Sequence, residues 1–147
     1  MRHTGLSISA TALFPLLLAA ANAHGQTAGP PPTAPHTIVV KLVEQAGPMP
    51  YAFEPAAFTA EPGDTIRFVQ AASVMHNVHF KSTPKGAKLG SAAVSQYLTT
   101  KGQSTSIVID SRFSDGKYEI VCDPHEMTGM HAFLTVTPRS TPAGGGE

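Results

Sequence analysis

The sequence predicts an all-β fold, an antiparallel Greek-key β-sandwich. Short runs of alternating apolar and polar residues recur along the chain, and Gly, Pro and Asp turns separate them. No apolar period of 3.6 residues lasts long enough to mark an amphipathic helix. Together these patterns favour short strands packed as two sheets.

The first strand is Thr37-Ile-Val-Val-Lys-Leu-Val43, rich in β-branched residues and stopped by Gly47-Pro48-Met49-Pro50. Tyr51–Phe58 reads as one irregular strand, with Pro55 favouring an edge, bulge or turn. Glu61-Pro62-Gly63-Asp64 is a turn signal. Thr65–Val69 alternates clearly, with Ile66 and Phe68 inward and Arg67 outward. Val78-His79-Phe80 begins the next strand. Residues 81–103 are interrupted by Lys, Gly, Ser and Thr, and leave room for a short helix around Ala92–Leu98. Ser104–Ile109 returns to strand character. After the Ser114-Asp115-Gly116 turn, Lys117–Cys122 places Tyr118, Ile120 and Cys122 on one face. His131–Thr137 closes the fold, with Phe133 and Thr135 opposite Ala132, Leu134 and Val136.

The ends read differently. Residues 1–23 resemble an export signal, with Arg2 and His3, an apolar run from Ala10 to Ala21, and a small-x-small site at Ala21-Asn22-Ala23. Pro15 interrupts that run, which is short for a membrane span, and no cysteine near the cut suggests a lipid anchor. Residues 24–36 form a Gly/Pro-rich flexible leader, 37–137 the folded domain and 138–147 a flexible tail. The mature chain is expected to be soluble and periplasmic, or otherwise extracytoplasmic. Its formal net charge of zero and the lack of a long basic run argue against nucleic acid. One cysteine excludes an intrachain disulfide, so an exported thiol needs protection by burial or by a metal.

Cys122-Asp-Pro-His125-Glu-Met-Thr-Gly-Met130 collects a thiol, an imidazole and a thioether within nine residues. Cysteine and methionine favour Cu(I), and histidine serves either oxidation state of copper. One more imidazole is needed, and His76, in Val74-Met75-His76-Asn77-Val78, is the best donor. Two histidines and a cysteine with a weaker axial methionine form the electron-transfer copper arrangement. A Cys-x2-His pair alone fits equally a buried cysteine beside a loop histidine, or half of a zinc site. His79 and His131 keep the zinc alternative open, although no second cysteine supports it.

The order of segments adds more. Phe53-x-Pro55-x-x-Phe58, Gly63-Asp64-Thr65-Ile66-x-Phe68 and His76-Asn77-Val78 precede Asp115-Gly116-Lys-Tyr118-Glu-Ile120-Val-Cys122 and the ligand loop. This arrangement resembles the blue copper proteins, or cupredoxins, and most closely their plastocyanin-like branch. The resemblance covers about residues 37–137. It implies a cupredoxin-like sandwich that binds one copper ion through His76, Cys122, His125 and Met130 and carries electrons without substrate turnover. It also implies that His125 lies nearest solvent, at an apolar rim drawn from Met75, Pro124, Met127 and Gly129, whose bland role is loop packing. Asn77 is expected to tie the two ligand loops and to aim its N–H at the Cys122 sulfur. Asp123 stands where the family often has a small hydroxyl residue.

The expected function is one-electron transport between redox partners. A copper-delivery, storage or tolerance protein is the alternative, motivated by His79, Met49, Met75, Met127 and a His24 that cleavage after Ala23 would place first. A structural sandwich with a buried thiol is the third reading. His36 and His131 are not expected to bind metal. Arg67, Lys81, Lys85, Lys88 and Lys101 fall in a span, residues 65–109, that contains no Asp or Glu. They offer either a basic flank for an acidic partner or simply a solvated surface.

Overall fold

A computed structural model describes residues 34–139. The expected export signal, His24 and most of the expected leader and tail lie outside the described residues. Eight strands follow in order: β1 (Thr37–Glu44), β2 (Tyr51–Glu54), β3 (Ala57–Ala60), β4 (Thr65–Gln70), β5 (His79–Ser82), β6 (Ser104–Val108), β7 (Gly116–Val121) and β8 (His131–Val136). One sheet has the order β2-β1-β4-β6 and the other β3-β8-β7-β5. This is the expected all-β sandwich. Its sheets are mixed, since β1 runs parallel to β4 and β3 parallel to β8, while the other pairings are antiparallel.

Two local expectations change. Tyr51–Phe58 is two strands, because the chain leaves the first sheet at Glu54 and enters the second at Ala57. Residues Ala92–Leu98 do not form the expected helix. A 3₁₀ turn covers Gly90–Ala93, after which the backbone extends to pair with the segment around His76. Leu98 N–H donates to His76 O at 2.7 Å, His76 N–H to Leu98 O at 3.1 Å, and Ser95 N–H to Val78 O at 2.9 Å. These tertiary bonds satisfy backbone groups that a short helix would leave open at both ends.

Strand alternation builds the core. Val40, Leu42, Ile66 and Phe68 meet Tyr118, Ile120, Ala132 and Leu134 across the sandwich, all buried. Phe68 and Phe80 join the sheets edge to face, with centroids 6.4 Å apart. Each fully buried large side chain contributes about 1.5–3 kcal/mol of transfer free energy. Tyr118 can be buried because its hydroxyl donates to Ser114 O at 2.8 Å and accepts from Ser114 N–H at 2.9 Å. The parity of β7 that buries Tyr118 and Ile120 also buries Cys122, one residue past the strand.

At one end of the sandwich, buried Asp64 ties the strands' two flanks to a turn. Its carboxylate accepts from Glu61 N–H at 2.9 Å and His36 N–H at 3.2 Å, and it faces Arg139 at 3.2 Å and the His36 ring at 3.1 Å.

Candidate metal centre

Three segments meet at the opposite end. The β4–β5 connection carries His76, the end of β7 delivers Cys122, and a 3₁₀ turn over Asp123–Thr128 carries His125. Pro124 near the start of that turn suits a position without an intrahelical N–H bond. The turn ends at Gly129, whose φ of +89° is left-handed. A Cβ on Gly129 would lie 2.6 Å from Met49 Sδ, a contact that the exposed, flexible methionine can yield, so it is the left-handed backbone that favours glycine there. Met130 follows, fully buried, its N–H donating to His125 O at 3.2 Å and its carbonyl accepting from Cys122 N–H at 3.3 Å.

The donor atoms of His76, Cys122 and His125 form one cluster. His76 Nδ1 and His125 Nδ1 each lie 3.4 Å from Cys122 Sγ, and 3.0 Å from one another. The point equidistant from all three is about 1.9 Å from each, close to the ~2.0–2.3 Å of metal–nitrogen and metal–sulfur bonds. His76 and Cys122 are fully buried and His125 half-buried.

The protonation chemistry fits a metal. Burial, followed by the neighbouring His125, holds His76 well below its ordinary value, at about 4, against a smaller opposing pull from Glu44. Burial also lowers His125. Both rings are therefore neutral near pH 7. Burial pushes the Cys122 thiol up, partly offset by the N–H groups of Asn77 and His125. Among the described residues buried His76 Nε2 has no partner, and the ring's polar neighbours are on its Nδ1 side. A cation among the three donor atoms would be held by the Nδ1 lone pairs and by the sulfur, and would take the place of the thiol proton. Two imidazoles and a cysteine sulfur, beside a segment that carries the buried Met130, are donors of the kind copper takes.

Asn77 and Asp123 lock the segments around this cluster. Asp123 N–H donates to Asn77 Oδ1 at 2.9 Å, and Asn77 Nδ2 donates back to the Asp123 carboxylate at 2.6 Å. His79 meets the other carboxylate oxygen at 2.7 Å. The His79 ring, followed by the Asn77 amide, holds Asp123 below its ordinary value. His79 thus turns to Asp123, His131 to Glu119 at 3.0 Å and His36 to Asp64, and none of them enters the metal-type cluster. Asn77→Ala should cost about 1–2 kcal/mol, because it breaks the paired hydrogen bonds between buried Asn77 and Asp123, whose carboxylate is partly screened by solvent. Urea unfolding of the metal-free protein would measure this. A cost near zero would mean the two segments are held elsewhere.

Reading the sequence missed Tyr51 as part of this end. Its ring centroid lies 4.2 Å from that of His125 and 5.2 Å from that of His76. Tyr51 is 25 and 74 positions from those histidines, and only the aromatic at the start of a strand hinted at it. The cations of the acid-free span differ in their surroundings. Lys81 pairs with Glu126. Lys85 and Lys88 flank residues 112–114, beyond the end of β7 opposite Cys122. Lys101 lies within electrostatic reach of Glu44, which also acts on His76.

Comparisons with known proteins agree with this donor chemistry. The profile described as "Copper binding proteins, plastocyanin/azurin family" matches residues 38–137. Plastocyanin of Scenedesmus fuscus is 33% identical over 101 residues, covering 67% of this chain and 98% of the relative. Plastocyanin of Nostoc punctiforme is 34% identical over 110 residues, covering 72% and 78%. Among solved structures, oxidised plastocyanin of the fern Dryopteris crassirhizoma aligns with a TM-score of 0.56 and 24% identity, over 68% of this chain and all of the fern protein, a likeness of fold.

Proposed function

Because the chain belongs to the plastocyanin/azurin family of copper-binding proteins and holds one copper ion per chain, we propose that it carries single electrons between redox proteins outside the cytoplasm. Its ligands in this reading are His76, Cys122, His125 and Met130. The observation that carries it is the triangle of His76 Nδ1, Cys122 Sγ and His125 Nδ1, with two corners fully buried.

When bound, copper supplies a one-electron Cu(II)/Cu(I) couple. The residues do the rest. Asn77 and Asp123 hold the two ligand-bearing segments together, limiting how far the donors shift when charge changes. Buried His76 and Cys122 keep water from the inner side. Half-buried His125 offers the route to a partner, and Met127 on its own turn and Met75 next to His76 in the chain expose apolar side chains. A partner docks on that rim without large desolvation cost. For docking charge the candidate is Lys101, since Lys85 and Lys88 lie toward the other end of β7. No step requires substrate turnover.

We assign residues 37–137 to the copper domain and 1–23 to an export signal, which places the mature chain in the periplasm or an equivalent compartment. No helix among the described residues is long and apolar enough to cross a membrane. The optical and electron paramagnetic resonance spectra of the copper-loaded protein test the ligand set. An intense sulfur-to-copper band with reversible one-electron voltammetry is expected, and its absence would overturn the reading. Copper delivery is the second reading, favoured by the exposed thioethers of Met49, Met75 and Met127. Rapid transfer of Cu(I) to an acceptor with poor electron exchange would select it.

Met130→Leu tests the fourth ligand. Removing a weak axial thioether while keeping an apolar cover should leave copper and the sulfur-to-copper band in place. Cu(II) needs the lost donor density more than Cu(I), so the reduction potential should rise. The rise is roughly 59 mV for each tenfold loss of relative Cu(II) affinity. Voltammetry of the fully loaded proteins decides it, and an unchanged potential would remove Met130 from the ligand set.

A further inference from the structure

The segment Met49–Tyr51 bears none of the assigned ligands, yet it covers the site from the first sheet. Gln45 closes the loop beneath it, its N–H donating to Pro50 O at 2.9 Å and its Nε2 to Met49 O at 2.8 Å. Pairing with Glu44 then fixes Tyr51 at the start of β2. Met49 rests on Gly129. The Tyr51 ring tilts 43° against His125 and stands edge-on, at 68°, to His76, while the two imidazoles are 4.7 Å apart. Each of the three rings touches the other two.

The two histidines differ in what else restrains them. His76 is fully buried, and its backbone pairs with Leu98 in both directions. His125 sits on a single 3₁₀ turn and is half-buried. Its recorded side-chain partners are Cys122 Sγ, His76 Nδ1 and the Tyr51 ring. In the metal-free protein the ring contact is the one that needs no shared proton.

We propose that Tyr51 is a positioning residue that holds the His125 imidazole inward, in both the metal-free and the loaded protein, and so slows copper release through the half-exposed side of the site. This rests on the copper assignment above. Among the described residues the Tyr51 hydroxyl has no hydrogen-bond partner, so the ring carries the role and phenylalanine should serve equally. Aromatic contacts of this kind have energies that translate into about a two- to tenfold change in an equilibrium or rate.

The test compares the parent with Tyr51→Phe, Tyr51→Leu and Tyr51→Ala. Cu(I) release to an excess of a Cu(I) chelator is timed for each loaded protein, and NMR reports the order of the His125 side chain in each metal-free protein. Tyr51→Ala should release copper about two- to tenfold faster and let His125 average between conformers. Tyr51→Phe should match the parent in both. If the alanine variant does not fold, Tyr51→Leu decides the question, since it keeps apolar cover without the ring. Parent-like release and a fixed His125 in the Leu and Ala variants would overturn the proposal. So would faster release with His125 still fixed, because that is shielding rather than positioning, and so would a Phe variant as fast as Ala. Failure of the copper assignment itself would show separately, as a loaded parent without the sulfur-to-copper band.

Discussion

Cys122→Ala is expected to abolish the intense sulfur-to-copper absorption and to weaken copper binding by more than about 100-fold, since loss of outer partners alone costs ~10–100-fold. The effect is large because Cys122 contributes the one anionic donor of the triangle and meets both imidazoles at 3.4 Å. Removing it leaves two neutral rings facing a small apolar void. The metal-free protein should lose little stability, because Cys122 brings a small side chain and a weak hydrogen-bonding group to the core. His76→Ala should also abolish the native spectrum. His36→Ala should not, because His36 faces Asp64 at the other end of the sandwich. Titration with copper followed by optical spectra checks all three, and a retained band in Cys122→Ala would sink the thiolate assignment.

Asp64→Ala should cost the metal-free protein about 2–4 kcal/mol at pH 7, since it leaves donors and a cation facing a void. The effect should depend on pH. Burial alone would raise the Asp64 pKa, but the N–H groups of Glu61 and His36, with the His36 ring and Arg139, outweigh it and hold the pKa below 3.8. The unfolded chain therefore takes up a proton at a higher pH than the folded one. The carboxylate's contribution is complete above the ordinary aspartate value and is lost as pH falls through the depressed folded value. Urea unfolding of parent and variant at pH 7 and pH 3 should show the gap between them narrowing in acid. An unchanged gap would mean that the charge of Asp64 is not what holds the turn.

Much of this was legible in the sequence because it is local. Alternation in Thr65–Val69 and Lys117–Cys122 reports which side chains face inward, and the spacing from Cys122 to Met130 sets a compact donor loop. His76 was found at long range because few other histidines stand between strands beside an Asn. The division of Tyr51–Phe58 between two sheets was hidden, because Pro55 marks an interruption without saying which sheet receives the next residue. The extended path of Val94–Leu98 depends on bonds to His76 and Val78 that no local window contains. The ring contacts of Tyr51 and the buried bonds of Asp64 were hidden for the same reason. Tyr51 looked like an ordinary strand aromatic and Asp64 like a turn residue, and their partners lie far away in the chain.

The pairing of β3 with β8 has a consequence in time. Among the described residues β3 has β8 as its sole neighbour in its sheet, and Ala57 pairs with Phe133, 76 positions later. Most of the chain must therefore emerge before the first of the four strands of the second sheet finds its partner. Closing so long a loop is entropically slow, and topologies dominated by distant pairings fold in milliseconds to seconds rather than microseconds. During that interval the Ala57–Ala60 edge and the apolar faces of β7 and β5 stay open to other chains. The donor loop itself is synthesised immediately before the strand that ends this exposure, so the ligand cluster is assembled at the same late moment at which the sandwich closes.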